Sequence, residues 1–433
     1  MNGQAHQPRA RLDIQATTMT TQPEYQVPSM LDIAALEPNG RKVISTFSGC
    51  GGSSLGYRMA GCHVVAANEF VPAAGEVYKL NASPSTILFD DDIRELTGGI
   101  ILDRVGLDVG ELDIFDGSPP CASFSAAGKR SGGWGQVKKY SDTAQRVDDL
   151  FYDYARVLKE IQPKAFIAEN VDGLVRGESK GYFKMIYREL EQCGYQVAAA
   201  VLDASRLGVP QARKRLIFMG LRNDLRAQLR YPTPLPYRYT LRDALRRNEA
   251  RIARRNYGGD RIELDKPCPT ITTHSDEFWM LDESVTDPET ARDLRRKWGD
   301  EAYEKLIRTL YDDETDRHIG FTRYAIGPEW KPLKQGESSA RYFQLVRPSY
   351  SKPCPTVTAT GGSVGAASVT HPSEPRKFNL QELRRICSFP DDFILAGSYE
   401  QRWERLGRSV PPVMMKAIAT TVCEILDEAE HND

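Results

Sequence analysis

The chain has no Cys-x-x-Cys pair, few histidines, no long apolar run and almost no net charge, and each shortage excludes a class of protein. Eight cysteines are scattered over 433 residues, and the six histidines do not gather around them. That distribution argues against a zinc site and against a disulfide framework, so no metal is expected, and free thiols fit a reducing cytoplasm. No apolar stretch approaches the roughly 18 residues of a membrane-crossing helix, so no membrane association is expected. Residues 1–38 are polar and rich in Gln, Thr and Pro; lacking the apolar segment of a signal peptide, they read as a disordered tail. A net charge of -2 excludes a polycation, so any hold on nucleic acid has to be local.

What is present is a globular composition, 40% hydrophobic and 27% charged, in a chain long enough for two domains. Short β-branched runs alternate with helical patterns through the first half. Residues 43–47, 63–67, 113–115, 165–168, 197–202 and 216–219 read as strands, and 149–161 as an amphipathic helix. This alternation predicts an α/β fold with a mostly parallel sheet covered by helices, binding ligands at the carboxyl ends of its strands. Past residue 221 the pattern changes. Residues 213–261 hold fourteen Lys/Arg against four Asp/Glu, and 276–316 hold fourteen acids against six bases. The arginine run over 241–255 is either a solvated helix face or a phosphate-facing surface. The expected organisation is a tail over 1–38, a catalytic and cofactor-binding domain over 39–221 and a second domain over 222–375. Residues 376–433 then form a connector and a final helix returning to the first domain.

Ser118-Pro119-Pro120-Cys121 follows an apolar strand, and its stiff turn can aim a thiolate at a ligand. Forty-eight residues later the strand ending Glu169-Asn170-Val171 repeats the pattern with a carboxylate. A nucleophile and an acid at neighbouring strand ends suit attack on an electron-poor ring. Phe47-Ser48-Gly49-Cys50-Gly51-Gly52 follows the first strand; its glycines allow a tight turn and close approach to a ligand, or serve structure alone. Glu69, ending the second strand, can accept both hydroxyls of a ribose. Asp92 and Ile93, after the third, are placed for an adenine amino group. Pro-Cys recurs within 266–273 and 352–359, but only Cys121 follows a buried strand of the alternating half.

Five blocks in order carry a family resemblance: Phe-Ser-Gly-Cys-Gly-Gly at 47–52, Gly-Ser-Pro-Pro-Cys at 117–121, Glu-Asn-Val at 169–171, Gln-Ala-Arg-Lys-Arg at 211–215 and Gly-Arg-Ser-Val-Pro-Pro at 407–412. Over residues 41–425 the chain resembles the DNA (cytosine-5)-methyltransferases. The resemblance implies a Rossmann-like class I S-adenosylmethionine-dependent methyltransferase sheet domain plus a smaller, mixed target-recognition domain. The implied reaction is methyl transfer to carbon 5 of a cytosine flipped out of double-stranded DNA. Cys121 would attack carbon 6, Glu169 would hold ring nitrogen 3, and Arg215 would contact the base carbonyl and the catalytic loop. Arg213, beside it, and Gln211 would position that element and the nucleotide. Phe47, Gly49, Gly51, Gly52, Glu69, Phe70, Asp92, Ile93, Pro120, Leu150 and Ser409 would line the cofactor. Ser125, Lys129 and Arg130 would ride on a loop closing over DNA. The implied setting is a prokaryotic or phage-encoded, cytoplasmic and nucleoid-associated enzyme, with a restriction endonuclease as a partner that is not physically bound; nothing demands more than a monomer. RNA cytosine methylation and a catalytically silent DNA-binding relative are the other readings.

Two departures stand out. Ser45-Thr46-Phe47 replaces the family's usual Asp-Leu-Phe, and Arg408 replaces the usual asparagine. A guanidinium a few ångströms from a sulfonium is repelled by roughly 1–4 kcal/mol. A carboxylate between them removes the conflict. Arg408 would therefore suit carboxy-S-adenosylmethionine and 5-carboxymethylcytosine as product, or else pair with the methionine carboxylate of the ordinary donor or with a DNA phosphate.

Overall fold

A computed structural model describes residues 22–120, 138–140, 143–145, 150–176, 179–245, 250–254, 257–262, 278–279, 296 and 319–432. Cys121, Ser125, Lys129 and Arg130 lie outside the described residues, as do the first Pro-Cys repeat at 266–273 and most of the acidic stretch.

The apolar runs form one seven-stranded sheet. Its members are β1 (Lys42–Thr46), β2 (His63–Asn68), β3 (Ile87–Phe89), β4 (Ile114–Gly117), β5 (Ala165–Val171), β6 (Tyr195–Asp203) and β7 (Lys214–Arg222), in the order β3-β2-β1-β4-β5-β7-β6. The first five are parallel, while β7 runs antiparallel to both β5 and β6. The strand order reverses between β1 and β4. Loops leaving their carboxyl ends part there, which makes that edge the natural ligand crevice of such a sheet.

Helices cover both faces because their apolar residues recur every three or four positions. Five matter below: α1 (Gly52–Met59), α2 (Leu150–Ile161), α3 (Lys180–Gln192), α4 (Tyr399–Arg408) and α5 (Pro412–His431). Leu150, Phe151, Tyr154, Val157, Leu158 and Ile161 of α2 bury against Phe115, Phe166 and Phe218. On the other face, Met414, Met415, Ile418, Val422 and Ile425 of α5 bury against Val43, Ile114 and Ile217, so the end of the chain completes the first core. By length and apolarity alone 399–431 would suffice to cross a membrane; here most of its apolar window is buried inside the protein.

Three expectations change. The tail stops short of residue 38: Ser29 and Asp32 cap a short helix, Met30–Ala34, whose first amide donates to Asp392 at 3.0 Å, and Tyr25 donates to the Arg385 carbonyl at 2.8 Å. Tying down the segment are buried Met30 and Ile33. The arginine run is not one helix: among the described residues helix covers Leu241–Leu245, and Ala250–Arg254 pairs antiparallel with Tyr257–Ile262. Nor is residue 375 a break in packing. Val357, Val369, Phe378 and Leu383 share a core with Cys50 and Leu55 of the first half, while Phe321, Ile326, Trp330 and Leu345 form a small separate cluster.

Candidate active site

At the end of β1 the chain turns sharply, with φ of 52° at Phe47, +57° at Gly49 and +94° at Gly51. Glycine tolerates this left-handed backbone without a Cβ clash. The Glu69 carboxylate pins the turn, accepting the Gly49 N–H at 2.7 Å and the Val71 N–H at 2.8 Å. Burial pushes the Glu69 carboxyl upward, while the two amides and the charges of Arg405 and Arg408 oppose the shift. A Cβ on Gly49 would meet nothing within 4 Å, so the turn is open on its outer side. Half-buried Phe47 and Phe70 flank it. Asp92 sits past β3, paired with Arg94 at 2.8 Å. These positions offer an acid for ribose hydroxyls, open backbone and aromatic walls along one sheet edge, a set that fits an adenosyl group.

Other residues expected to line the cofactor lie behind this edge. A Cβ on Gly52 would come within 2.4 Å of the Val410 carbonyl oxygen, so this glycine lets α1 pack against the chain entering α5. The Ser409 hydroxyl donates to the Arg405 carbonyl at 2.7 Å and lies 3.0 Å from the Cys50 thiol. Gly51 is the N-cap of α1, while Ile93 and Leu150 belong to the core under Phe47.

The second half of the site lies across β4, β5 and β7. Pairing sets Ile217 opposite Glu169 and Arg215 opposite Val171. Arg215 Nε then meets Glu169 Oε1 at 2.6 Å, in a pair about nine-tenths buried. Asn170 donates from Nδ2 to the Pro119 carbonyl at 3.3 Å while its Oδ1 accepts the Val171 N–H. A Cβ on Gly117 would lie 2.5 Å from the Tyr154 ring, whose hydroxyl donates to the Ile167 carbonyl at 3.0 Å. The turn is thus locked up to half-buried Pro120, one residue before Cys121.

Arg213 and Gln211 take a different place from the one expected. Arg213 is 2% exposed, and its Nη atoms donate to the carbonyls of Val357, Gly407 and Arg408 at 2.9–3.2 Å. Burial, then the nearby Arg215 charge, push its guanidinium downward. Gln211, fully buried, accepts the Val357 N–H and donates to Cys387 Sγ, both at 3.3 Å. Both are internal braces in this structure rather than groups facing a base. Their partner is the second Pro-Cys repeat, where Cys354 and Pro355 pair with Gln211 and Ala212. Cys354 is fully buried, and burial pushes its thiol up, which suits a strut and not a nucleophile.

Sequence reasoning missed three residues. Asn170 stood inside a recognised block, but its contact is non-local. Asp116 is buried at the end of β4 and accepts from Ser53 at 2.7 Å, Ser45 at 2.8 Å and Tyr57 at 3.2 Å. Burial pushes its carboxyl up to about 6 despite those donors. Ser45 and Asp116 are register partners on neighbouring strands, so an acid stands beside the first strand where Ser45 replaces the aspartate the resemblance leads one to expect. Finally, Glu404 pairs with Arg408 at 2.6 Å, one helical turn away.

Among the described residues no cluster of His, Cys, Asp or Glu could hold a metal ion. The C-5 cytosine-specific DNA methylase model matches residues 41–424. Type II methyltransferase M.FnuDI of Fusobacterium nucleatum is 35% identical over 391 residues, covering 90% of this chain and 96% of that one. M.Sau96I of Staphylococcus aureus is 27% identical over 408 residues, covering 94% and 81%. A prophage-encoded E. coli protein superposes with a TM-score of 0.59 at 20% identity, over 90% of this chain and 100% of its own. Spodoptera frugiperda DNMT2 does so with 0.53 at 17%, over 89% and 100%; at such identities the likeness speaks for the fold. By the family match across nearly its whole length, the chain belongs to the C-5 cytosine-specific DNA methylases.

Proposed function

We propose that this protein methylates carbon 5 of a cytosine flipped out of double-stranded DNA, through a covalent adduct with Cys121. The observation that carries the reading is the Glu169–Arg215 pair beside the Pro119–Pro120 turn, which Asn170 holds at Pro119, two residues before Cys121. S-adenosylmethionine supplies an electrophilic methyl group on sulfur. Phe47, Gly49, Glu69 and Phe70, with Asp92 beyond them, would hold its adenosyl part.

The Cys121 thiolate adds to carbon 6, and the pair from the carbon 5–carbon 6 double bond becomes available at carbon 5. Glu169 shares a proton with ring nitrogen 3, which draws charge away as the sulfur–carbon bond forms. Arg215 keeps that carboxyl oriented. Carbon 5 would take the methyl group as the donor's methyl–sulfonium bond breaks and leaves a thioether; carbon 5 then gives its proton to water, and the carbon 6–sulfur bond breaks to return the thiolate. DNA reading falls to 222–375, where the Arg-rich hairpin supplies local positive charge for phosphates. The naming of M.FnuDI and M.Sau96I as Type II methyltransferases favours a restriction–modification setting.

A second reading, carboxymethyl transfer, rests on Arg408, whose charge acts on Glu69. Glu404 already meets that charge at 2.6 Å, relieving the repulsion against a sulfonium from within the protein. Carboxymethyl transfer therefore requires Arg408 to exchange Glu404 for the donor's carboxylate, and methyl transfer does not.

Nucleoside mass spectrometry of duplex DNA, with each donor supplied separately, tests the proposal. The expected product is 5-methylcytosine from wild type and none from Cys121→Ser; equal transfer by the variant would overturn the adduct. Predominant 5-carboxymethylcytosine, lost in Arg408→Asn, would establish the second reading. Preference for tRNA over duplex in competition would move the substrate to RNA.

A further inference from the structure

Cys62 and Cys423 are 361 residues apart in the chain, yet their sulfurs lie 3.5 Å apart, where α5 meets the residue before β2. Asn39 Nδ2 stands 3.5 Å from each sulfur and donates to the Ala60 carbonyl at 3.0 Å. Among the described cysteines Cys423 alone is half-buried, and the rest are buried. Asn39 beside it is exposed, so the pair is open to solvent from the Cys423 side.

Two thiols this close share a proton. The hydrogen bond from Cys423 holds the Cys62 thiol below its ordinary range against the effect of burial, and the Asn39 amide and the Arg41 charge act in the same direction. A thiolate is the form of cysteine that attacks an oxidant. Cys423 stands one helical turn before Asp427 and two before Glu430, and both acids pair with Arg41 just ahead of β1. This face of α5 is thus seated on the base of the sheet. On the side toward α1, a Cβ on Gly56 would come within 2.5 Å of Met415 Cβ. The two sulfurs are therefore held facing each other, and closing to the roughly 2 Å of a disulfide is within reach of side-chain rotation.

We propose that Cys62 and Cys423 form an oxidation site that takes hydrogen peroxide and becomes a disulfide, clamping α5 to the base of the sheet. The thiolate sulfur of the pair attacks one peroxide oxygen. A sulfur–oxygen bond forms, the oxygen–oxygen bond breaks, and the leaving hydroxide takes up the proton the pair had released, giving water. The second sulfur then displaces the hydroxyl group of the sulfenic acid, which leaves with the second thiol proton as another water. Peroxide gains the two electrons that the two sulfurs lose. The new bond closes a loop of 361 residues and so restricts the unfolded chain. Glu69 lies seven residues further along, roughly 23 Å away at ~3.3 Å per residue of strand, so the clamp acts on stability and leaves the cofactor end of the sheet unchanged.

The test oxidises the full chain with a slight molar excess of hydrogen peroxide and maps its cysteines by mass spectrometry after tryptic digestion without reduction. Peptides 59–79 and 417–433 each carry one of the two cysteines and no other. The expected product is these two peptides joined, lighter by two hydrogens than the free pair. The unfolding midpoint of the chain should rise by about 3–8 °C and return on treatment with dithiothreitol. Cys423→Ser should show neither the joined peptide nor the rise; should it fail to fold, Cys423→Ala, with its higher helix propensity, serves in its place. Sulfinic acid on 417–433 without a joined peptide would overturn the proposal, as would a rise that persists in the Cys423 variant. A joined peptide with an unchanged midpoint would overturn the clamp.

Discussion

Arg213 and Arg215 leave the same stretch of chain two residues apart, yet they enter different environments. Arg213 turns inward to three backbone carbonyls on the segments 357 and 407–408. Arg215 meets Glu169 at the sheet edge beside the proline turn. The first joins distant pieces of chain; the second pairs with one carboxylate. The same division recurs on α4, where Arg408 is 40% exposed with a partner on its own helix and Arg405 is buried with no ion pair among the described residues. Residue type therefore says little about role in this protein. Burial and the identity of the partner decide it.

The sharpest test of that comparison sets Glu169→Gln and Arg215→Ala against Arg213→Ala. The first two should lower methyl transfer by about 10²- to 10⁴-fold with little change in the unfolding midpoint. Arg213→Ala leaves carbonyls of three residues without their donor and should cost about 2–4 kcal/mol of stability, read by denaturant unfolding, while the folded fraction keeps most of its activity. Arg213→Ala folding normally and losing as much activity as Arg215→Ala would dissolve the distinction.

A smaller effect is expected at Asn170. Asn170→Ala removes the donor to the Pro119 carbonyl, so kcat should fall about tenfold while KM for the donor stays put. A rise in donor KM alone would mean that the amide does not position the cysteine turn.

A pH effect on stability is expected at Asp116. Its carboxyl lies at about 6 in the folded protein against 3.8 ordinarily, because burial penalises the charged form. The folded state thus holds the proton more tightly. The stability this group contributes is full below about pH 4 and is lost as pH rises through 6, by about 3 kcal/mol at most. Asp116→Asn cannot titrate, so the variant should gain on wild type in unfolding midpoint between pH 4 and pH 7. Parallel curves would show that Asp116 is not the titrating group.

Much of the fold was legible because strand and helix periodicity survives in a chain whose sheet is buried on both faces. The six expected strands lie where the alternating apolar runs lie, and the glycine turn, Glu69 and Glu169 fall at strand ends for the same reason. Of the two readings of the arginine run, the helix face is the one the hairpin at 250–262 departs from, because charge composition carries no period distinguishing a hairpin from a helix. Residues 22–38 misled for the opposite reason: two buried apolar side chains and a capping box dock a polar segment that composition marks as tail.

The sequence by itself determined the kind of machine this is: an alternating α/β chain with a thiol, a carboxyl and a glycine turn placed at successive strand ends, because local periodicity and short motifs are properties of neighbouring residues. Tertiary structure alone decided the division of labour. That Ser45 faces Asp116, that Arg213 clamps 407–408 and that Arg405 keeps a buried charge behind the turn depends on segments far apart in the chain being brought within hydrogen-bonding distance. Sheet register and burial set those meetings, and no local pattern encodes them.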